Sequence, residues 1–314
     1  MCGFFVLCVL AAIAADEEPS YNGRLLSQWL GDVVLNARST GPEPYGEAIR
    51  AMGTNAIPTL LKWISYERPI SQQSADAPAT DVHLGAVRNR PLTPAERAER
   101  SPNAFGSLGT TARPAIPELT RLARASSDPE RAHRCAGALG CIGREAIPSL
   151  ISLVTNSPPW TRWYAIGELE CFASGQVAAQ VVPALIRCLD DTNTYFPVHG
   201  EAERVLLTIG PALVVPALTN ALQSDLARTR LRAAHCLLAL EDVADPRLPA
   251  EVPSMVAALR AAMRDPDHQV RLIATNVLRQ LGGWELVREQ WVRRHGTNTL
   301  NGITPDFFTN APPR

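Results

Sequence analysis

Lysine is almost missing from this 314-residue chain: Lys62 is the only one, and arginine carries the rest of the positive charge. That bias reads as genome composition rather than chemistry. Net charge is missing too. Thirty basic against 31 acidic residues leave −1, which supplies no global field for nucleic acid or an anionic membrane. Aromatics make up only 6%. There is no GxSxG, no glycine-rich phosphate loop, no kinase-like set and no HExxH. The six histidines (83, 133, 199, 235, 268, 295) are scattered, so His133–Cys135 and His235–Cys236 lack further ligands at metal-site spacing. Nucleophilic, phosphoryl-transfer and zinc chemistry thus find no anchor, and neither a metal nor a cofactor is expected. With 46% hydrophobic and 19% charged residues, what is present is the composition of a folded chain.

The N-terminus, MCGFFVLCVLAAIAADEEPS, is uncharged and mostly apolar over residues 2–15, too short to span a bilayer comfortably. Ala12-Ile13-Ala14 is a small-x-small cleavage pattern, followed by Asp16-Glu17-Glu18. Residues 1–15 read as a secretory leader cut after Ala14, or as a short uncleaved anchor; a basic n-region is the missing part. The expected location is exported, periplasmic or envelope-associated. Cys2 and Cys8 fall in that leader. The remaining cysteines (135, 141, 171, 188, 236) are odd in number, which does not suit a disulfide framework.

Internal repetition dominates the rest. Seven segments end in a large aliphatic residue with small or apolar residues three and four positions earlier: AIRAMG, AFGSLG, CAGALG, AIGELE, VLLTIG, CLLALE and VLRQLG. Their last aliphatics are Met52, Leu108, Leu139, Leu169, Ile209, Leu240 and Leu281. After a first gap of 56, the spacings are 31, 30, 40, 31 and 41. The pattern predicts the buried stripe of a helix end, with glycine next in five copies as a left-handed C′ residue. Asp128-Pro129 and Asp265-Pro266 predict an N-cap aspartate before a proline at N1.

A second helix is predicted after each of Pro58, Pro117, Pro148, Pro183, Pro216 and Pro253, since proline is tolerated in a first helical turn. Two positions on stand Leu60, Leu119, Leu150, Leu185, Leu218 and Met255; six positions on stand Ile64, Ala123, Val154, Leu189, Leu222 and Leu259. Both rows are assigned to the buried face. A lone hairpin of ~32 residues cannot offset ordering costs of about 1–2 kcal/mol per residue, so hairpins must stack. The expected fold class is all-α, an α-solenoid of about seven stacked helical hairpins.

The pattern resembles HEAT repeats, including the HEAT-like, PBS-lyase-type repeats of bacterial proteins. In DPDHQVRLIATNVLRQLG, Asp265, Val270, Arg271 and Ala274 sit where that family's signature does, and DLARTRLRAAHCLLAL echoes it with Leu231-Arg232 in the Val-Arg place. The resemblance covers about residues 45–294 and implies a binding scaffold whose second helices line a concave side. It also admits an enzyme alternative, since such repeats occur in phycobilin lyases and some DNA glycosylases. No His-Glu dipeptide carries over the iron ligands of HEAT-repeat hydroxylases, and the near-neutral charge disfavours a glycosylase. A self-associating structural envelope protein is the third reading.

Around the repeats, residues 21–37 predict an amphipathic capping helix with Leu25, Leu26, Trp29, Leu30 and Val33 inward. Residues 66–92 read as an exposed, partly disordered insertion, 284–294 as a terminal cap and 295–314 as a loose tail. Cys135 and Cys236 align with small apolar residues four before the terminal aliphatic (Ala48, Ala104, Ala165, Val205, Val277), and buried free thiols are expected. A disulfide between Cys141 and Cys171 is the alternative for that pair.

Surface is what remains for function. Position +4 after each proline points away from the buried rows and gives Lys62, Arg121, Ser152, Arg187, Asn220 and Ala257; position +1 gives Thr59, Glu118, Ser149, Ala184, Ala217 and Ser254. The +4 row is mildly basic at its start and suits an acidic or phosphorylated segment of a protein partner. The stretch PPWTRWY offers Trp160 and Trp163 as a second candidate, an aromatic anchor for a partner, with packing of one of them between repeats as the favoured reading. The expected function is a non-catalytic protein–protein interaction scaffold.

Overall fold

A computed structural model describes residues 18–33, 44–67, 85–87, 90–240 and 252–282. The expected leader, the middle of the insertion, the terminal cap and the tail lie outside the described residues. The chain is built of helical hairpins in two compact units, residues 1–169 and 170–314. Six pairs of helices and the first helix of a seventh fall within the described residues.

The first unit begins with a two-stranded antiparallel hairpin, β1 (Ser20–Tyr21) and β2 (Arg24–Leu25), and a short helix α1 (Leu26–Leu30). Here the single helix expected over 21–37 is replaced. Asn22-Gly23 takes positive φ at both residues (49° and 75°), as a two-residue hairpin turn demands. The reversal leaves Leu25 exposed, while Leu26, Leu30 and Val33 are buried. Arg24 lies 3.9 Å over the half-buried Trp29 ring. Then follow α2 (Pro44–Met52) with α3 (Ile57–Ile64), α4 (Pro94–Leu108) with α5 (Ile116–Arg124), α6 (Pro129–Ile142) with α7 (Ile147–Thr155), and α8 (Pro159–Glu170). First helices stack on first helices: α2 on α4, and α4 on α6. Second helices pack on the next first helix: α3 on α4, and α5 on α6.

The second unit opens on α9 (Gly175–Cys188) and continues with α10 (Val198–Ile209), α11 (Pro211–Ala221), α12 (Ala227–Ala239), α13 (Val252–Ala262) and α14 (His268–Gly282). The stacking rule repeats, with α10 on α12, α12 on α14, α9 on α10, and α11 on α12. This is the stacking of an α-solenoid within each unit.

The buried rows fall where the repeat places them. All six +2 residues, from Leu60 to Met255, have no exposed surface, and the +6 residues are exposed by 5% or less. Ala48, Ala104, Cys135, Ala165, Val205, Cys236 and Val277 are buried too. Each leucine so removed from water stabilises the stack by roughly 1.5–3 kcal/mol.

The prolines divide. Pro58, Pro117 and Pro148 stand in the first turn of their helices, each behind a 3-10 turn (Gly53–Ala56, Gly109–Ala115, Arg144–Ala146). Pro183 and Pro216 instead lie inside α9 and α11. They do not separate two helices as expected. Ala179 and Ala212, four residues ahead of them, are exposed, so the carbonyls that lose a donor have access to water.

The glycine rule also needs one correction. Gly53, Gly109 and Gly210 take positive φ after their helices, but Gly140 does not: α6 runs on to Ile142, and Gly143 (φ 104°) ends it. Gly140 is there for space. A Cβ at this position would lie 2.1 Å from Glu168 Oε2 and 3.0 Å from Glu168 Cδ.

Arginines tie the turns together. Arg271 Nη1 donates to the carbonyls of Asp265 and Pro266, and Arg230 Nη1 donates to those of Ser224 and Asp225 in the same way. Thr229-Arg230, not Leu231-Arg232, therefore occupies the Val-Arg place of that repeat. Arg230 also forks onto Asp265 (Nε–Oδ2 2.6 Å, Nη2–Oδ1 2.9 Å). Asp265 Oδ1 also accepts the Asp267 amide at 2.8 Å, but α14 starts only at His268. Asp267 caps α14 instead, accepting from the Gln269 amide at 2.7 Å, whereas Asp128 caps α6 as expected. The end of the insertion is not fully exposed either. Val87 and Leu92 are buried, and Arg90 forks onto the buried Glu96, which closes a capping box with Thr93 at the start of α4.

Candidate interaction surface

In the first unit the +4 positions of α3, α5 and α7 are Lys62, Arg121 and Ser152; the first two are exposed and Ser152 is half-buried. Arg121 does not present a bare cation. Its guanidinium forks onto Glu118 one turn back (Nε–Oε2 2.8 Å, Nη2–Oε1 2.6 Å) and holds that carboxyl below the usual carboxylate range. The i, i+3 spacing places both on one helix face, so the basic character read from the +4 row is halved there. Arg124 reaches to the next second helix and donates to Ser152 Oγ at 2.7 Å. The row is therefore a short network linking α5 to α7 rather than a set of separate charges.

Lys62 sits on a different feature, a groove of about 460 Å³ lined by Thr59, Lys62, Trp63 and Tyr66 from α3 and its end, by Arg97 from α4, and by Glu18. Trp63 forms its apolar wall, and the Arg97 guanidinium lies 5.4 Å from the indole centroid, within cation–π range. Glu18 Oε1 accepts the Ser27 backbone N–H. Sequence reading found Thr59 and Lys62 but missed Trp63 and Arg97. A signal existed: Arg97 follows the Thr93-Pro94-Ala95-Glu96 cap directly, where the positive end of a helix disfavours a cation.

The aromatic stretch in α8 is partly packed rather than open. Trp160 and Trp163 are both half-buried. Trp163 stands edge-on to Tyr164 at 5.1 Å, and Tyr164 packs tilted on the His133 ring at 4.6 Å. Thr161 between them is fully buried and donates to the Ala123 carbonyl at 3.0 Å, docking α8 against the end of α5. These tryptophans thus serve packing on at least one face of each ring.

In the second unit Arg187 and Asn220 are exposed at their +4 positions, while Ala184 at +1 is buried. Among the described residues, the most open large apolar side chain was not foreseen. Tyr195 is 86% exposed, on the loop between α9 and α10. That loop is held firmly. Arg232 Nη1 donates to the carbonyls of Leu189 and Asp191, Arg228 Nη1 donates to the Asp190 carbonyl and Oδ1, and the Phe196 amide donates to Asn193 Oδ1 at 2.7 Å. Tyr195 rests edge-on against Phe196 at 5.1 Å. Tyrosine is among the residue types enriched where a few side chains carry most of an interface's binding energy.

None of the five described cysteines is in a disulfide. Cys135, Cys188 and Cys236 are buried, but Cys141 and Cys171 are exposed and so do not fill the core as expected. Burial pushes the Cys135 and Cys236 thiols up to about 12, which keeps them protonated and inert. Among the described residues no group of three or more His, Cys, Asp or Glu side chains is placed to hold a metal ion, and no helix is long and apolar enough to cross a membrane.

No family model matches this chain, and no curated protein matches it. Solved structures similar to it include an engineered protein from the Northeast Structural Genomics Consortium, 18% identical, covering 81% of this chain and 97% of its own (TM-score 0.33). A second engineered protein from that consortium is 20% identical over 81% of this chain and 95% of its own (TM-score 0.31). Kap121p, crystallised bound to Nup53p, is 11% identical over 90% of this chain and 32% of its own (TM-score 0.40).

Proposed function

We propose that this chain is a non-catalytic scaffold of HEAT-like type that binds a partner protein through the exposed face of its second helices. The observation that carries this reading is the division of labour along those helices. Positions +2 and +6 are spent on the stack without exception, while five of the six +4 positions are exposed and vary in chemistry from lysine to asparagine. Residues that do no packing and repeat in register offer an extended partner several weak contacts whose sum gives the affinity. Tyr195 on its braced loop adds an aromatic anchor in the second unit. The partner is expected in the envelope or periplasm, on the leader-like residues 1–15.

The test is affinity capture from native envelope extract with wild type and a Lys62→Glu, Arg187→Glu double variant, followed by mass spectrometry of the eluates. Both side chains are exposed, so the variant is expected to melt as wild type does. A protein enriched by wild type and lost with the variant supports the reading. Equal recovery by both contradicts the chosen face.

A further inference from the structure

We propose that residues 85–87 are a latch that fastens the N-terminal element, residues 18–33, over the first hairpin, and that latch and element leave the stack together as one unit. The device works whether or not the second helices bind a partner.

The N-terminal element cannot hold itself. Its two-stranded hairpin and the five-residue helix α1 are both too short to persist alone in water. Within it, the Leu26 amide donates to the Pro19 carbonyl at 2.8 Å, and the Ser27 amide donates to Glu18 Oε1. Leu26, Leu30 and Val33 have no exposed surface, and α1 rests on α2 and α4.

Gly31 shows where outside support enters. Its φ of −61° and ψ of −25° suit any residue, so glycine is not required there for conformation. It is required for space. A Cβ would lie 2.4 Å from the Val87 carbonyl oxygen and 3.2 Å from that of Gln28. The Val87 amide in turn donates to the Gly31 carbonyl at 2.6 Å, so two segments distant in sequence meet backbone to backbone.

The latch is tied to the stack from its other side. Arg100 on α4 is fully buried, and its Nη2 donates to the Gly85 carbonyl at 2.9 Å, a bond strengthened by the charge of the donor. Val87 itself is buried, and a few residues on, Arg90 forks onto Glu96 at the start of α4. Residues 85–87 thus join α4 to the end of α1. If the latch leaves, the short element loses the support it cannot replace. If the element leaves, the Val87 amide loses its acceptor. Each piece depends on the other, which makes their joint release a local opening that spares the repeats. That opening bares Leu26, Leu30 and Val33 together with the faces of α2 and α4 beneath α1, an apolar surface that the closed chain hides.

Native-state hydrogen exchange on the full chain, read amide by amide by NMR, tests the coupling in wild type, Gly31→Ala and Val87→Ala. The Leu26, Ser27 and Val87 amides are expected to share one protection factor in wild type, lower than that of Leu139 inside α6. Val87→Ala, which trims only the latch, is expected to speed exchange at Leu26 and Ser27 by about tenfold or more and to leave Leu139 unchanged. Gly31→Ala is expected to speed all three amides likewise. Its sign is diagnostic: without the Val87 contact, alanine at these backbone angles would steady the end of α1 and slow exchange. Unequal protection of Leu26 and Val87 in wild type, or slower exchange in Gly31→Ala, overturns the proposal. So does an unchanged rate at Leu26 and Ser27 in Val87→Ala, or an acceleration that reaches Leu139 equally.

Discussion

Glu168 on α8 has an environment that nothing in its own segment announces. Its carboxylate lies against Gly140 and within 3.7 Å of where a Gly137 Cβ would stand, and no side chain among the described residues pairs with it. Burial alone raises its pKa above the ordinary value near 4.5. The folded carboxyl thus titrates higher than the unfolded one. Below pH 4.5 both states are protonated and burial of the charge costs nothing; as pH rises through the folded value, stability falls. Glu168→Gln is therefore expected to be more stable than wild type at pH 7, by about 1 kcal/mol or more, and equal to it near pH 4. Thermal melts at the two values check this. A gap that persists at pH 4 would trace the effect to packing instead. Thiol chemistry gives a second residue-level outcome. Iodoacetamide is expected to label Cys141 and Cys171 in the native protein and to spare Cys135 and Cys236 until the chain is unfolded, as peptide mapping would read. Cys135 was legible in the repeat alignment because its row holds only small apolar residues. Glu168 was not, because the contact joins residues 28 positions apart and leaves no local period.

Among the elements, the prolines separate what a repeat reveals from what it hides. All six precede a buried leucine or methionine by two residues, and that spacing made the core legible. Whether a helix begins at the proline or runs through it depends on the residues ahead. In three hairpins a 3-10 turn stands there, and in α9 and α11 the helix has already started. The two situations carry opposite signs. Pro117→Ala is expected to cost up to about 1 kcal/mol, because a proline in a compatible first turn limits the unfolded chain. Pro183→Ala restores an amide donor in mid-helix and is expected to stabilise, by as much as about 3 kcal/mol. Urea unfolding of both variants distinguishes the cases, and a loss of stability in Pro183→Ala would contradict the placement. In the N-terminal segment the apolar spacing of Leu26, Leu30 and Val33 suggests one helix, but the Asn22-Gly23 turn breaks it. The turn signal was present, and a helical period of only two turns was too short to overrule it. Arg230 shows the converse. The sequence match put Leu231-Arg232 in the signature, and only the bonds back to Ser224 and Asp225 fix the register.

For the molecule as a whole, stacking consumes one set of repeat positions and releases another. Truncation within the buried set is expected to be severe. Leu150→Ala, at a site with no exposed surface, should cost about 2–5 kcal/mol in urea unfolding. Tyr195→Ala should leave stability within about 0.5 kcal/mol, since the ring is 86% exposed, while weakening partner capture. The fold class was readable from the repeat because burial in a stacked hairpin imposes a period on sequence. A binding face imposes none, so the exposure of Tyr195 emerged only from its three-dimensional surroundings. The most direct test of the scaffold places a photo-crosslinking amino acid at Lys62, Arg121, Arg187 or Asn220, and in parallel at the exposed first-helix residue Leu272, with crosslinks formed in native extract. Capture of one and the same protein from several second-helix positions and not from Leu272 is the predicted result. Crosslinks to that protein as strong from Leu272, or none from any second-helix position, would contradict it.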